Sequence, residues 1–183
     1  MILLLSAIAM SVTDPRTPAV SPDGSRVVVS YRGDLWEAPS SGGLMRDLTP
    51  CGSFESLPCY SPDGSTLAFT SDRTGGGDVY AMPAGGGEAV RLTWHGGLDE
   101  AEGWSASGDS VYFISSREGS ESWLYSVPLS GGTPVPVVRA SLLDVARTPG
   151  GLAVVTGVTP WWRRHYSGSG SRDVWLLSGD GAW

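Results

Sequence analysis

Short runs of β-branched and aromatic residues alternate along this chain with turn-forming segments. Arg26–Tyr31 (RVVVSY) and Thr66–Ser71 (TLAFTS) are two such runs, and each follows the pentapeptide Ser-Pro-Asp-Gly-Ser, at 21–25 and at 61–65. In this pentapeptide Pro fixes φ, Asp can bond the backbone, and Gly accepts a left-handed conformation. The pattern therefore predicts antiparallel strands joined by tight turns.

The repeated unit is longer than the turn. A Gly-Asp-aliphatic-aromatic segment follows each strand, and then come a Pro, a Gly pair (Gly42-Gly43, matched with Gly85-Gly86) and a closing Leu-Thr. A third copy is degenerate and a fourth is weaker, which divides the chain into units at about 15–50, 54–94, 98–139 and 140–183. An aromatic residue holds the equivalent place in the third strand of each unit: Trp36, Tyr80, Tyr125 and Trp175.

This period of about 40–45 residues, with four short strands in each unit, is typical of a β-propeller blade. The predicted fold is all-β: a β-propeller of four-stranded antiparallel blades, with about four repeats present. Because one blade cannot bury both of its faces, the aromatic residues are predicted to pack between neighbouring blades. The fourth unit reaches the turn at 178–181 just before Trp183, so we expect an incomplete last blade and a fragment of a longer protein.

Composition agrees with this fold and excludes several functions. The 183 residues include 26 Gly and 13 Pro, which disfavour a helical bundle. The formal net charge is -7 and no basic face is visible, so no nucleic-acid partner is expected. All 12 basic residues are Arg, and the absence of Lys excludes Schiff-base chemistry and a phosphate-loop lysine.

Residues 1–14 are interpreted as a signal peptide or an N-terminal extension. The apolar run in Met1–Met10 (MILLLSAIAM) is too short to span a bilayer, and Ala7-Ile8-Ala9 is a candidate cleavage motif. A basic segment before the apolar run is missing, so a buried first strand is the alternative. The expected location is periplasmic or secreted, with the cytoplasm as the alternative, and no membrane span is expected.

Few residues in this sequence are of the types that catalyse reactions or bind metals. Cys51 and Cys59 could form a disulfide or remain free thiols; no His lies near them in sequence, so neither a metal site nor a cofactor is predicted. No G-x-S-x-G, H-E-x-x-H or phosphate-loop motif occurs, so no catalytic residue is assigned. His95 is interpreted as a turn residue that caps backbone groups. The acidic cluster at 99–102 is interpreted as a solvated blade connection, with a cation site as the alternative.

These repeats resemble the Pro-Asp-Gly propeller repeat of TolB-like proteins and of tricorn-type serine proteases. Three segments are similar to the tricorn type: Arg16–Pro39, Ala89–Ser105 and Trp161–Leu177. The third and fourth turns depart from the family by lacking Pro-Asp-Gly. The family's PDZ module and catalytic serine domain are absent from these residues, so no catalytic residue can be carried over.

The resemblance implies the non-catalytic propeller of an exported tricorn-like serine endopeptidase, which would guide or filter peptides toward a catalytic domain. It also implies a six-bladed ring. The implied partners are the missing PDZ and catalytic domains, peptides, and further copies of the full-length protein. The alternatives are a TolB-like protein-binding propeller of the cell envelope and the propeller of a prolyl-oligopeptidase-type hydrolase.

One loop is a candidate contact site. It inserts between the second and third strands of the fourth unit and combines flat apolar faces with two fixed charges. Three interpretations of this segment are open. It packs against an adjacent domain or subunit, it contacts a peptide, or it is a plain ordered loop. Its residues are Trp162, Arg163, Arg164, His165 and Tyr166, preceded by Trp161.

Overall fold

The computed structural model describes residues 15–148, 151–157 and 173–178. This part of the chain contains fifteen β-strands and no helix, and so it has no helix that could cross a membrane. The first sheet, blade 1, consists of β1 (Arg16–Val20), β2 (Arg26–Tyr31), β3 (Asp34–Pro39) and β4 (Arg46–Asp47). Blade 2 consists of β5 (Glu55–Tyr60), β6 (Thr66–Ser71), β7 (Asp78–Pro83) and β8 (Val90–Arg91).

The remaining two sheets continue the pattern. Blade 3 consists of β9 (Asp99–Trp104), β10 (Ser110–Ser115), β11 (Trp123–Pro128) and β12 (Val135–Val138). Blade 4 has three strands in the described ranges, β13 (Leu142–Thr148), β14 (Gly151–Thr156) and β15 (Asp173–Ser178). The segments 1–14, 161–166 and 179–183, on which several sequence predictions fall, lie outside the described residues.

Each blade is an antiparallel meander in which strands pair in chain order. The first strands of successive blades are neighbours, β1 beside β5, β5 beside β9 and β9 beside β13, so they form the inner edge of the arrangement. Within the described ranges the blades do not close into a ring. The predicted all-β architecture of four-stranded propeller blades is confirmed.

The tight turn between the first two strands of a blade is formed as predicted. Gly24 and Gly64 have φ values of 71° and 73°, a region that only Gly adopts without strain. In the second copy the Asp63 carboxylate accepts hydrogen bonds from the Ser61 hydroxyl (2.6 Å) and from the Ser65 N–H (3.0 Å). These bonds hold the pKa of Asp63 at about 2, and the equivalent bonds do the same for Asp23.

The third turn keeps this chemistry without the Pro-Asp-Gly sequence. Gly108 again has a positive φ of 76°, and the carboxylate comes from Asp109, on the other side of the glycine. Asp109 accepts from the hydroxyls of Ser105 (2.8 Å) and Ser110 (3.0 Å). Displacing the acid by two positions therefore preserves the turn.

The glycine pair between the third and fourth strands requires a one-residue correction. Gly42 and Gly43 have φ values of 90° and 137°, and the residues with matching values are Gly86 (85°) and Gly87 (135°). The repeat pattern matches Gly85 with Gly42, but the φ of Gly85 is not positive. The register is set by the distance from the preceding proline, because the turn begins at Pro39 and at Pro83.

The core lies between the blades. Tyr80 packs with Leu35 and Leu48 of blade 1, and Tyr125 packs with Val79 and other residues of blade 2. The predicted inter-blade role of the aromatic residues is therefore confirmed for both tyrosines. Trp175 pairs with Val154 across the sheet, as Tyr80 pairs with Phe69, but its side chain remains 45% exposed.

Antiparallel pairing gives the propeller two different faces. The Ser-Pro-Asp-Gly turns and the glycine pairs lie at one face, which we call the turn face. The turns between second and third strands lie at the opposite face, together with the segments that link one blade to the next. We call this second face the connection face, and most of the buried charge lies there.

Candidate functional site

Two junctions on the connection face are built to one plan, 44 residues apart in sequence. The first junction, between blades 1 and 2, comprises Asp34, Asp47, Cys51, Ser53, Glu55 and Arg73. The second junction, between blades 2 and 3, has Asp78, Arg91, His95, Gly97, Asp99 and Arg117 at the equivalent positions. The backbone is the same in both: the N–H groups of Glu55 and Asp99 donate to the carbonyls of Gly33 and Gly77.

A buried acid, a serine and an arginine recur in both junctions. In the first, the fully buried Glu55 accepts from the Ser71 hydroxyl (2.8 Å) and from Arg73 Nη2 (3.0 Å). In the second, Arg117 Nη2 lies 2.7 Å from Asp99 Oδ2, and its Nε donates to Ser115 Oγ (3.2 Å). The arginines compensate the charge of acids that are removed from water.

Each of these two arginines lies over the face of an aromatic ring. The guanidinium carbon of Arg73 lies 4.7 Å from the centre of the Tyr80 ring, and that of Arg117 lies 4.9 Å from the Tyr125 ring. These are the third-strand aromatic residues of the repeat. Each therefore fills the space between blades and also holds a cation over its face.

The second junction balances its charge with a second arginine. Asp78 is fully buried, and its Oδ2 accepts from Arg91 Nη2 (2.7 Å) and from the Thr74 hydroxyl (3.0 Å). Its Oδ1 accepts from the Thr93 hydroxyl (3.4 Å) and from the His95 N–H (3.3 Å). Two carboxylates thus face two guanidinium groups.

The first junction lacks this second arginine. Trp36 pairs with Asp47 across the sheet, as Tyr80 pairs with Arg91, so an acid stands where the second junction has a cation. Burial, and then the charges of Asp47 and Glu55, raise the pKa of Asp34. Asp34 Oδ1 is buried and has no hydrogen-bond partner in the described part of the chain.

Cys51 completes the first junction. One ligand atom from each of Asp34, Cys51 and Glu55 lies within 4.8 Å of the others. Glu55 Oε1 accepts from the Ser53 hydroxyl (2.5 Å) and from the Cys51 thiol (3.3 Å), in addition to its bonds with Ser71 and Arg73. Glu55 Oε2 is buried and has no partner among the described residues.

The third junction, between blades 3 and 4, is apolar at the same positions. Trp123 pairs with Ser115, as Asp78 pairs with Ser71, and Leu142 takes the place of Asp99. Leu142 is buried in the cluster that joins blades 3 and 4. At these positions, buried charge therefore occurs in the first two junctions and not in the third.

A cleft of about 480 Å³ lies between blades 1 and 2 on the turn face. At its base the buried Glu37 accepts from Arg26 Nη1 (2.6 Å) and from Arg46 Nη2 (2.8 Å). Arg46 Nη1 also donates to the Gly85 carbonyl (2.9 Å) of the next blade. Because these charged groups bond one another, and Arg46 also bonds the next blade, the cluster connects blades 1 and 2.

The structure separates the residues that the sequence singled out. His95 caps the backbone as predicted, because its Nδ1 accepts from the Gly97 N–H (3.1 Å). The acids at 99–102 lie in strand β9 rather than in a solvated connection, which corrects that interpretation. Asp99 is fully buried, and burial with the charges of Asp144 and Glu100 raises the pKa of Glu102 to about 8.

The two cysteines are free thiols in different surroundings. Cys51 is exposed, whereas Cys59 is partly buried and packs against the cluster between blades 2 and 3. Burial raises the pKa of the Cys59 thiol to about 12. The candidate contact residues Trp162, Arg163, Arg164, His165 and Tyr166 lie outside the described ranges.

Sequence reasoning singled out Cys51, His95 and the acids at 99–102, but it missed the other residues that form the junctions. Its closest signal was the Gly-Asp at 33–34 and 77–78, which was used only to align the repeats. The Ser-x-Arg at 71–73 recurs at 115–117, and this recurrence could have identified both arginines. Nothing in the local sequence indicated that Asp34 and Cys51 meet.

The comparison with known families decides the assignment. Residues 15–182 match the family described as the tricorn protease N-terminal beta propeller domain. The chain belongs to this family. The match runs across all the blades described above, which agrees with the resemblance noted from the repeats.

Solved structures show the same fold. A putative TolB from Agrobacterium tumefaciens is 23% identical, with a TM-score of 0.74, over 90% of this chain and 61% of that one. The tricorn protease is 20% identical, with a TM-score of 0.72, over 92% of this chain and 18% of that one. A prolyl endopeptidase is 17% identical, with a TM-score of 0.60, over 78% and 25%. The chain thus spans less than two thirds of each of these proteins.

Proposed function

We propose that this chain is the non-catalytic propeller of a tricorn-like serine peptidase and that it guides or filters peptides toward a catalytic domain. The family match over residues 15–182 carries the proposal. The sequence supports it, because these residues contain none of the common catalytic motifs. The described buried acids Glu55, Asp78 and Asp99 also support it, because each is held in an ion pair with an arginine.

The test separates binding from turnover. The purified 183-residue chain is mixed with fluorescein-labelled casein peptides, and both fluorescence anisotropy and cleavage are followed. We expect saturable binding without cleavage. Turnover that survives repurification would overturn the non-catalytic assignment, and absence of binding would overturn the guiding role.

Sequencing the gene beyond codon 183 tests the link to a peptidase. We expect a PDZ-like segment followed by a catalytic serine domain. A G-x-S-x-G hydrolase domain there would favour the prolyl-oligopeptidase alternative. A coding sequence without a further domain would favour a TolB-like binding propeller of the cell envelope.

We propose that the full protein is exported to the periplasm or secreted. The apolar segment Met1–Met10 with the candidate site Ala7-Ile8-Ala9 supports this location. Fractionation of a Gram-negative host that expresses the tagged chain, with N-terminal sequencing, tests it. A cytoplasmic product that retains Met1 would contradict export.

We also propose that the segment around Arg163 and Arg164 contacts the adjacent domain or a partner subunit. Its support is the sequence, which combines two guanidinium groups with Trp162 and Tyr166. In the full-length protein, an Arg163→Ala/Arg164→Ala variant should weaken association of the propeller with the rest of the protein, measured by co-purification after limited proteolysis. Unchanged association, with unchanged folding, would refute this role.

A further inference from the structure

The first junction brings together three metal-ligating side chains from different parts of the chain. Asp34 begins β3 of blade 1, Glu55 begins β5 of blade 2, and Cys51 lies in the segment that links the two blades. One ligand atom of each lies within 4.8 Å of the others. Zinc binds thiolate and carboxylate ligands at about 2.0–2.3 Å, and ligand atoms this close to one another can share one ion.

Unsatisfied buried oxygens give independent support for a bound cation. Glu55 is completely buried, and its Oε1 already accepts from several donors, while its Oε2 has none among the described residues. Asp34 Oδ1 is in the same condition. Leaving a buried carboxylate oxygen without a partner is costly, and a cation supplies the missing interaction.

The second junction shows what the first one lacks. Asp99 there also keeps an unpartnered oxygen, but the neighbouring Asp78 is bonded through both oxygens and faces Arg91. In the first junction the corresponding Asp34 faces Asp47 instead. Among the described residues, Arg73 is bonded to Glu55 in this junction while Asp34 and Asp47 repel each other, and a divalent cation would offset much of this negative charge.

We propose that the first junction is a structural zinc site, with Asp34, Cys51 and Glu55 as its protein ligands. The thiol selects a borderline metal such as Zn²⁺ over Ca²⁺ or Mg²⁺, which prefer oxygen ligands alone. A water molecule would complete four-coordination. On binding, the Cys51 thiol releases its proton to solvent and its sulfur coordinates the ion as the thiolate.

The site would fasten blade 1 to blade 2 at the connection face. It would also neutralise Asp34, as the Arg91 guanidinium neutralises the equivalent acid Asp78 in the second junction. Because Cys51 is exposed, the ion has a direct route from solvent. The proposal concerns cation binding alone and does not depend on the guiding role proposed above.

Cobalt(II) is the probe, because a Co²⁺–thiolate bond gives a charge-transfer absorption in the near ultraviolet. Metal-free protein is titrated with Co²⁺, the bound ion is displaced with Zn²⁺, and thermal melting is followed with and without Zn²⁺. We expect one ion per chain, a thiolate band that Zn²⁺ abolishes, and a higher melting temperature with Zn²⁺.

Matched variants locate the site. Cys51→Ser should lose the thiolate band, and Cys59→Ser, which alters the other thiol, should keep it. Asp34→Asn should weaken Co²⁺ binding at least about tenfold. This variant leaves the Glu55–Arg73 ion pair in place, so it still tests the site if Glu55→Gln fails to fold.

Several results would overturn the site. These are absence of a thiolate band in the parent protein, a band that survives in Cys51→Ser, and a band lost in Cys59→Ser instead. Stabilisation by Ca²⁺ but not by Zn²⁺ would also refute it.

Discussion

The first two blade junctions share a backbone and differ in how they neutralise buried acid. At positions 44 residues apart, Asp34 and Asp78 each begin the third strand of a blade. Asp78 is paired with Arg91, whereas Asp34 faces Asp47. One scaffold position therefore accepts either a protein cation or a site with excess negative charge, and a single residue on the fourth strand determines which.

The conserved geometry of the pair comes from hydrogen bonds that do not depend on charge. The Leu35 N–H donates to Thr49 Oγ1 (2.8 Å), and the Val79 N–H donates to Thr93 Oγ1 (3.0 Å). Because these bonds fix the connection in both junctions, the electrostatics can vary without moving the blades. The charges at Asp47 and Arg91 can therefore be exchanged between the two junctions by substitution.

Replacing Arg91 of the second junction by the acid found at the equivalent position of the first should have the largest effect on stability. Arg91→Asp leaves the fully buried Asp78 without its cation and adds a like charge beside it. Breaking a buried ion pair in this way should lower the free energy of unfolding by about 3–5 kcal/mol. Urea unfolding measures the change. Arg32→Asp makes the same change of charge at an exposed position, and an equal loss there would contradict the role assigned to the pair.

The reverse exchange should stabilise the first junction. Asp47→Arg places a guanidinium where Asp34 has none, at the cost of the bond from the Thr49 N–H to Asp47. We expect a gain of about 1 kcal/mol in the metal-free protein. The response of the melting temperature to Zn²⁺ should disappear in the same variant. Loss of stability, or a retained zinc response, would show that Asp47 does not set the charge of this junction.

The junction between blades 3 and 4 extends the comparison to pH. Glu102 has its pKa raised from 4.5 to about 8, so between these values the folded chain holds a proton that the unfolded chain releases. Stability should therefore fall as pH rises from 4.5 to 8. The loss is on the order of 2 kcal/mol, allowing for solvent screening of this partly exposed carboxyl.

Glu102→Gln should flatten that fall, which melting temperatures measured across the same pH range would detect. The exposed Glu88→Gln serves as the control and should leave the pH profile unchanged. An unchanged slope in Glu102→Gln would mean that another group causes the pH dependence.

The smallest effect is expected on the turn face of the same blades. Asp63→Asn removes a charge that accepts from Ser61 and Ser65, and whose pKa lies at about 2 rather than 3.8. The stabilisation is present above pH 3.8 and is lost as pH falls toward 2, so the variant should be less stable than the parent above pH 3.8, and the difference should shrink as the pH falls toward 2. Acid titration followed by circular dichroism, with Asp109→Asn for the third turn, provides the measurement. Effects larger than those of Arg91→Asp would reverse the ranking of the two faces.

Much of the fold could be predicted from the sequence, because its signals are local. The glycine at 24 and at 64, the proline before it and the β-branched run after it act within one hairpin, and they give the blade without reference to the rest of the chain. The third turn shows the limit of this reasoning. Asp109 replaces the missing Asp by reaching back across Gly108, which a fixed motif does not anticipate.

The candidate site could not be predicted in the same way. Cys51 and Glu55 are close in sequence, but Asp34 reaches them only because the third strand of blade 1 lies against the start of blade 2. The acids at 99–102 looked like a solvated loop, since charged residues are rarely buried without a partner. Asp99 is buried because Arg117, a residue of the next hairpin, compensates it.

The blades, their order and their turns follow from the sequence alone, since proline, glycine and alternating apolar residues constrain φ and burial over a few neighbouring positions. Which acids become buried, which of them pair with an arginine, and which face one another at the first junction depend on the tertiary structure. Desolvation and charge pairing are set by the distances between blades. No local pattern encodes those distances.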